Sequence, residues 1–339
     1  MRLSPALLFA LKAALAAVTL ALVTRVAPPA DALAALTNAR VWPLAVALAL
    51  APANVGLETY RWWRLVRRLN PAVTYRDALG AVLGGYPLGL LTPGRVGEYV
   101  GRAALLRGVP AGQAAALTLG EKMATLAAVL VGGLAALAHF LTVVMPPSPL
   151  WWPLAVFSAL WAGGLLLAIL YPSGAGRALG AVLPFRRVRE ALRAFDAIPQ
   201  REAGVLLGLS FVRYVVFAGQ FALLAAAFAP EAAPAALAAG VALTLFAKSA
   251  VHSVTLGDLG IREGAAVYFL GAYGVAPGAA VDASLGVFAI NLLMPALVGA
   301  PALLRLRLRR EAPATGSPPE AASGASAAAA DRRETRPLA

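Results

Sequence analysis

Long runs of apolar residues alternate along this chain with short connections that contain most of its arginine. Six runs approach or exceed the roughly 20 residues with which a helix crosses the hydrocarbon core of a bilayer. They lie at residues 6–24, 41–58, 111–143, 150–171, 203–228 and 281–304. Alanine and leucine dominate them, and both residues favour the helix strongly. The pattern therefore predicts an all-α polytopic integral membrane protein with about six full spans.

Two further apolar segments are interrupted by polar and glycine-rich motifs. In residues 77–107 a first arm of 16 residues, DALGAVLGGYPLGLLT, is followed by a break, and residues 235–275 break at SVTLGDLGIREG. Irregular backbone at membrane depth is tolerated only where it is buried in protein or lines a wet cavity. We predict that both segments are re-entrant or broken-helix hairpins, the first entered from the inside and the second from the outside.

The basic residues collect in three connections. These groups are Arg61, Arg64, Arg67, Arg68 and Arg76; Arg177, Arg186, Arg187, Arg189, Arg193 and Arg201; and Arg305, Arg307, Arg309 and Arg310. By the positive-inside rule all three are cytoplasmic, which predicts a multi-pass protein of the cell (inner) membrane with both termini in the cytoplasm. Trp62 and Trp63, next to the first group, are typical of aromatic residues at headgroup level.

The order of spans and hairpins indicates an internal repeat. The chain contains span, span, hairpin and span, and then the same series in the opposite orientation. This predicts an inverted-topology repeat with halves at about 1–145 and 150–310, and it places a substrate site near the bilayer midplane between the breaks. A cleaved signal peptide is the alternative for the first run, whose length favours an uncleaved helix. Residues 311–339 are rich in Ala, Pro, Ser and Gly, and we expect a disordered cytoplasmic tail.

Composition narrows the possible chemistry. The chain is 60% hydrophobic and only 13% charged, with a mean hydropathy of +0.75, which excludes an ordinary soluble enzyme. It has no cysteine and two histidines, so disulfides, thiol catalysis and a three-histidine metal site are excluded, and we expect neither metal nor cofactor. The basic residues behind the net charge of +13 lie in the connections between apolar segments, where they indicate membrane topology. We therefore expect no nucleic-acid partner.

The first break carries three charges on one turn-and-helix motif, LTPGRVGEYVGR. It contains the helix breakers Pro93, Gly94 and Gly97 and the charged residues Arg95, Glu98 and Arg102. The charged residues are spaced i,i+3 and i,i+4, so both arginines reach the carboxylate. A charge at the centre of a span costs about 2.5 to 3.5 kcal/mol, which requires pairing or a wet cavity. Two interpretations remain open: a structural salt-bridge cluster, or an anion site where arginine and free backbone N–H groups bind phosphate.

The second break repeats the mixture of glycine and charge. It contains the glycines Gly257 and Gly260 and the charged residues Asp258, Arg262 and Glu263, and Lys248 and His252 precede it at i,i+4. Lys248 is alternatively an interfacial residue, and His252 alternatively a packing residue. Polar groups in spans mark a pathway by default, and Glu121, Lys122 and Arg213 complete the candidate binding set, with Asn54 and Glu58 as further intramembrane polar groups. We expect Glu121 to contact an arginine of the first hairpin.

These motifs resemble the signature regions of the lysylphosphatidylglycerol synthase transmembrane family, also described as flippase-like domain proteins. The resemblance covers about residues 5–308 and rests on Pro93, Gly94, Gly97, Glu98, Arg102, Glu121, Gly257, Gly260, Arg262 and Glu263. Lys122 stands where the family usually has arginine, which keeps the charge but loses the planar fork. The resemblance implies a transmembrane flippase-like domain at 1–310 that handles lipids or lipid-linked intermediates.

Family members that make aminoacyl lipids carry a large soluble catalytic domain, for which the tail of this sequence has no room, so synthase activity is not expected. The first hypothesis is translocation or binding of an anionic or polyprenyl-phosphate-linked lipid, with Arg95, Arg102 and Arg262 on its phosphate. The alternatives are an intramembrane transferase, for which no metal or nucleophile motif is present, and a non-transporting subunit that recruits a lipid-biosynthetic enzyme.

Overall fold

The computed structural model describes residue 37 and residues 39–145, 149, 151–183, 185–250 and 260–311. All regular secondary structure in this part of the chain is helical, which confirms the all-α class. The described residues up to Leu303 belong to one compact unit and the later ones to a second, and every side-chain contact reported below lies in the first. The predicted span at 6–24, the disordered tail after residue 311, and Gly257, His252 and Asp258 lie outside the described residues.

The described part of the first half of the chain forms five helices. They are α1 (Val41–Ala49), α2 (Ala51–Leu69), α3 (Tyr75–Leu90), α4 (Val96–Leu105) and α5 (Ala111–Val143), with a 3-10 turn at Pro93–Arg95 between α3 and α4. The second half forms α6 (Trp151–Leu170), α7 (Pro172–Val182), α8 (Arg186–Leu192), α9 (Gln200–Phe228), α10 (Pro234–Ala250), α11 (Ile261–Ala272), α12 (Pro277–Phe288) and α13 (Met294–Glu311). A 3-10 turn at Arg193–Ala197 precedes α9, and a π-helical turn at Ala289–Leu293 joins α12 to α13.

Four helical stretches within the described ranges are long and apolar enough to cross a membrane. They are Val41–Leu69, Ala111–Val143, Gln200–Phe228 and Pro277–Ala302, and they correspond to the runs predicted at 41–58, 111–143, 203–228 and 281–304. The run at 150–171 is helical as α6, but the chain then bends by 109° into α7. Tyr171 has φ −121° and ψ 64°, which are not helical backbone angles, because the proline that follows Tyr171 disfavours a helical conformation there.

The first interrupted segment is a helical hairpin of α3 and α4. Thr74 caps α3 because its hydroxyl accepts the Asp77 backbone N–H at 3.2 Å. The Thr74 hydroxyl and backbone N–H in turn donate to the Asp77 carboxylate at 2.6 and 3.0 Å, and these two hydrogen bonds lower the pKa of that carboxyl. Glycines let the two helices touch: a Cβ on Gly101 would lie 2.9 Å from the Gly85 Cα atom. The predicted break is therefore present as a tight helix–turn–helix.

The second interrupted segment has the same general form. Helices α10 and α11 pack against each other, and a Cβ on Gly240 would lie 2.7 Å from the side chain of Leu270. The connection at 251–259 lies outside the described residues.

The predicted position of Trp62 is wrong. Trp62 was expected at headgroup level, but its side chain is fully buried in the core between α2, α3 and α5. Its ring nitrogen donates a hydrogen bond of 3.0 Å to the Thr118 hydroxyl of α5. A buried indole with a satisfied N–H is a packing residue, so Trp62 does not anchor the helix to the bilayer surface.

Candidate functional site

The turn between α3 and α4 positions Arg95. Gly94 and Arg95 both have positive φ, 59° and 57°, and Arg95 is the one non-glycine residue in the described part of the chain with this conformation. The left-handed region is unfavourable for a side chain with a Cβ atom, so the surrounding structure must hold it there. Thr92 does so in part, because its hydroxyl accepts the Gly97 N–H at 2.7 Å and donates to the Leu88 carbonyl at 2.9 Å.

Three buried carboxylates meet next to this turn. Glu58 comes from α2, Glu98 from α4 and Glu121 from α5, and each side chain is at most 1% exposed. The fully buried Arg102 contacts all three, with 3.1 Å between its Nη1 atom and Glu121 Oε2. The predicted contact of Glu121 with an arginine of the first hairpin is therefore present.

The position predicted for Arg61 is wrong. It was assigned to the first cytoplasmic basic group, but its side chain is fully buried and forms an ion pair with Glu121. Its guanidinium group also donates to the Thr125 hydroxyl at 3.0 Å and to the Ser210 hydroxyl at 2.6 Å. Three helices thus enclose this charge, so Arg61 contributes nothing to the surface potential on which the positive-inside rule depends.

Three further cations are bound to the same carboxylates. Lys122 Nζ lies 2.9 Å from Glu58 Oε1 and 2.7 Å from Glu98 Oε1. Arg213 of α9 lies 2.6 Å from Glu58 Oε2, and Arg95 lies 2.9 Å from Glu98 Oε2. Lys122 and Glu121 contact different partners because adjacent helical residues point about 100° apart.

This cluster lies deep within the long helices. Lys122 is 11 residues after the start of α5, and Arg213 is 13 residues after the start of α9. At 1.5 Å per residue these side chains are about 17 and 20 Å from the N-terminal ends of their helices. Two helices long enough to span the hydrocarbon core of about 30 Å therefore carry charges well inside their length, Lys122 about a third of the way along α5 and Arg213 just under half-way along α9.

A cavity of about 320 Å³ opens onto the cations. Charged residues of five elements line it, namely Arg95, Glu98, Lys122, Arg213 and Lys248. It is also lined by the largely apolar side chains of Leu126, Val129, Tyr214, Phe217 and Leu245. The cavity is thus amphipathic, and five of the residues predicted for the binding site line it.

The ion pairs next to this cavity form one connected cluster. Within the described ranges, it contains five cations and three carboxylates. The members are Arg61, Arg95, Arg102, Lys122 and Arg213, with Glu58, Glu98 and Glu121. Buried charges at low dielectric are costly unless they are paired, and each of these side chains contacts at least one group of opposite charge.

The second break forms a separate cluster. Arg262 Nη2 lies 2.6 Å from Glu263 Oε1, its Nε atom donates to the Ser284 hydroxyl at 2.8 Å, and Glu263 accepts the Gly260 N–H at 2.6 Å. Arg262 and Glu263 are not among the residues that line the cavity described above. The expectation that Arg262 shares this cavity with Arg95 or Arg102 therefore finds no support in the described residues.

Sequence reasoning placed Glu58 only among general polar groups and assigned Arg61 to the surface. Their i,i+3 spacing on α2 was a usable signal, because it matches that of Arg95 and Glu98.

A further contact of α2 lies outside the ion-pair cluster: the Asn54 side chain donates to that of Asn291 at 2.5 Å, in the π-helical turn before α13. Among the described residues, no group of three or more His, Asp or Glu has the arrangement of a metal site.

Comparison with known proteins defines the family. The family model described as "Lysylphosphatidylglycerol synthase TM region" matches residues 9–299, which include both hairpins and all of the cluster. The chain belongs to this family. No curated protein and no solved structure matches it. Membership in the lysylphosphatidylglycerol synthase transmembrane family confirms the resemblance of the motifs and supports a multi-pass membrane protein with a lipid-related role.

Proposed function

We propose that this protein binds an anionic lipid or lipid-linked intermediate in the amphipathic cavity and moves its headgroup across the membrane. The observation that carries the proposal is that three cations, Arg95, Lys122 and Arg213, line one cavity together with apolar side chains. Arginine binds phosphate through two parallel hydrogen bonds, and these hydrogen bonds are stronger at low dielectric. Arg95, Lys122 and Arg213 are the headgroup ligands in this proposal, and Arg102 and Arg61 hold the carboxylates in place from behind.

The apolar wall supports a lipid as the source of the anion. Leu126 and Val129 follow Lys122 along α5, and Tyr214 and Phe217 follow Arg213 along α9. An amphiphile with its phosphate on the cations therefore places its first methylene groups against these side chains. A free ion gains nothing from that wall, whereas burial of apolar surface favours a lipid by about 25 cal/mol per Å².

The carboxylates provide a way to open and close the site. Glu58 and Glu98 each bind cations that line the cavity, so a phosphate competes with them for the same donors. We infer that the headgroup displaces carboxylate contacts as it enters and returns them as it leaves. This exchange keeps every guanidinium group paired throughout, which avoids the cost of an isolated charge in the membrane.

The wider arrangement in this proposal follows the sequence predictions. A flippase-like domain at 1–310 would have six spans and two re-entrant hairpins in an inverted repeat, in the inner membrane and with both termini in the cytoplasm. The two helical hairpins and the separate charged cluster at Arg262 and Glu263 support a repeated design. In such repeats the substrate moves as one half rocks against the other.

Lipid scrambling in liposomes tests the function. The purified protein is reconstituted with fluorescent phosphatidylglycerol, and dithionite, which does not cross the bilayer, bleaches the label of the outer leaflet. Wild-type protein should expose the inner-leaflet label, and Arg213→Gln should not. Arg177→Gln is the matched control, because it removes the same charge from an exposed position on α7. Inner-leaflet label that stays protected with wild-type protein would contradict transport.

A further inference from the structure

A sharp bend after α6 turns the chain toward the plane of the membrane. Helix α6 contains no charged residue, and α7 follows it at an angle of 109°. Exposed apolar side chains along α6, such as Val156, Leu160 and Leu167, are typical of a helix that faces lipid. With α6 across the bilayer, α7 therefore lies close to the membrane plane at the surface where α6 ends.

One side of α7 is closed by the protein itself. Gly176 and Gly180 are buried, and a Cβ on Gly176 would lie 3.2 Å from the Leu192 carbonyl oxygen of α8. A Cβ on Gly180 would lie 3.5 Å from the side chain of Arg189, which also belongs to α8. Helix α8 thus packs directly on α7, and the two helices form one unit.

The outer surface of α7 is divided between apolar and charged side chains. Leu179 and Val182, one turn apart, are 46% and 81% exposed in the described structure, and Phe185 just after the helix is 64% exposed. Arg177 is exposed as well, but at 100° per residue it points about 140° or more away from both Leu179 and Val182. The helix therefore has an apolar outer edge, which we define as Leu179, Val182 and Phe185, and a separate charged flank.

Helix α8 adds a row of arginines beside this edge. Arg186, Arg189 and Arg193 are exposed and spaced i, i+3 and i+7, so they share one side of the helix. Val188 and Leu192 face the other way and pack on the core. Residues 172–197 contain five arginines and two acidic residues, which makes this surface positive.

We propose that α7 and α8 form an interfacial platform, which inserts the apolar outer edge into one leaflet and binds the anionic lipid headgroups of that leaflet through Arg186, Arg189 and Arg193. An amphipathic helix in the interface buries its apolar side among acyl chains, and the negative surface potential of anionic lipids attracts its cations. Arg189 packs on α7, and long arginine side chains reach the headgroup layer while their stems stay on apolar surface.

The apolar outer edge favours a lipid surface over an acidic protein as the partner. An acidic protein would match the arginines, but the edge continues from the lipid-facing surface of α6, and burial in the same leaflet removes both from water. The platform shares no residue with the cavity between α5 and α9. This inference therefore does not rest on the proposed function.

Single cysteines test the position of α7, because the chain has none of its own. The full chain with Val182→Cys or Arg177→Cys is labelled with the fluorophore NBD and reconstituted in nanodiscs of phosphatidylcholine and phosphatidylglycerol, whose two faces are both accessible. Lipids with a nitroxide on the acyl chain should quench the label at residue 182 about twofold or more above that at residue 177. Aqueous iodide should give the opposite order.

The binding of anionic headgroups is tested with the label at residue 182. Nitroxide-labelled phosphatidylglycerol and phosphatidylcholine are compared at the same small mole fraction and low ionic strength, and we expect about twofold stronger quenching by the anionic lipid. Salt at about 1 M should remove the difference by screening. The triple variant Arg186→Gln/Arg189→Gln/Arg193→Gln should remove it too, and the matched triple lysine variant, which keeps the charges in place, should retain it.

Each contrary result overturns a defined part of the inference. Iodide quenching as strong at residue 182 as at residue 177 places the apolar outer edge in water and overturns the platform. Protection of residue 182 from both quenchers shows that protein covers the edge, which overturns the lipid surface as the partner. Equal quenching by the two lipids, or a difference that survives the triple glutamine variant, overturns the role of the arginines. Lipid scrambling through the cavity is measured separately, so its outcome is independent of these results.

Discussion

Replacement of Arg61 tests whether this arginine is a buried structural charge or part of a cytoplasmic surface. In the structure Arg61→Met leaves Glu121 with Arg102 as its one described cationic partner and removes hydrogen bonds from Thr125 and Ser210. Breaking a buried pair by removing one partner costs about 3 to 5 kcal/mol, whereas a surface substitution costs at most about 0.5 kcal/mol. The two interpretations therefore differ by several kcal/mol in the free energy of unfolding.

The measurement is equilibrium unfolding of the protein in mixed detergent micelles, followed by circular dichroism. Arg67→Met is the matched control, because Arg67 lies on the same helix and is exposed. The double variant Arg61→Met/Glu121→Gln removes the charge pair together and should lose less than the sum of the single losses, with an interaction energy of about 1 to 3 kcal/mol. If Arg61→Met is no more destabilising than Arg67→Met, the buried position of Arg61 is refuted.

Three further predictions concern the first hairpin and the topology. Arg95→Gly should raise the melting temperature relative to Arg95→Ala, because glycine adopts φ 57° without strain. Both variants should weaken binding of phosphatidylglycerol, and equal melting temperatures would contradict the strain at residue 95. Gly101→Val should cost about 1 to 3 kcal/mol by separating α3 from α4, measured against Gly163→Val at a site with no neighbour within 4 Å. Cysteine at Ala276 should react with an impermeant reagent from outside and cysteine at Ser173 should not, and external labelling of Ser173 would reverse the assigned orientation.

The periodicity of the sequence was sufficient for most helix positions. The boundaries predicted for 111–143 coincide with those of α5, because a long run of alanine and leucine between proline-containing connections has one stable solution. The break at Pro93–Gly97 was also predictable, since proline and glycine interrupt a helix through their own backbone geometry. These features depend on the residues of one segment alone, so they can be predicted from the sequence of that segment.

The composition of the site could not be predicted in the same way. The contact between Arg213 and Glu58 joins residues 155 positions apart, and no spacing within either helix reports it. The positive-inside rule failed for Arg61 for a related reason. The rule counts charges along the sequence, whereas the burial of Arg61 depends on the α5 carboxylate that lies next to it in the structure. Conversely, Arg262 was expected in the shared cavity, but in the structure it binds its neighbour Glu263 and Ser284 of α12.

The distribution of the buried charges over separate helices has a consequence for biogenesis. Helices α2, α4, α5 and α9 each carry at least one member of the cluster, and Arg102 cannot contact its three carboxylates until the first three of these helices are together. A helix with such a charge partitions poorly into lipid by itself. The segments from α2 to α5 must therefore leave the insertion machinery as a group, and Arg213 on α9 joins them later in synthesis. The ion pairs thus set an order of assembly, in which the cavity is completed only when α9 arrives.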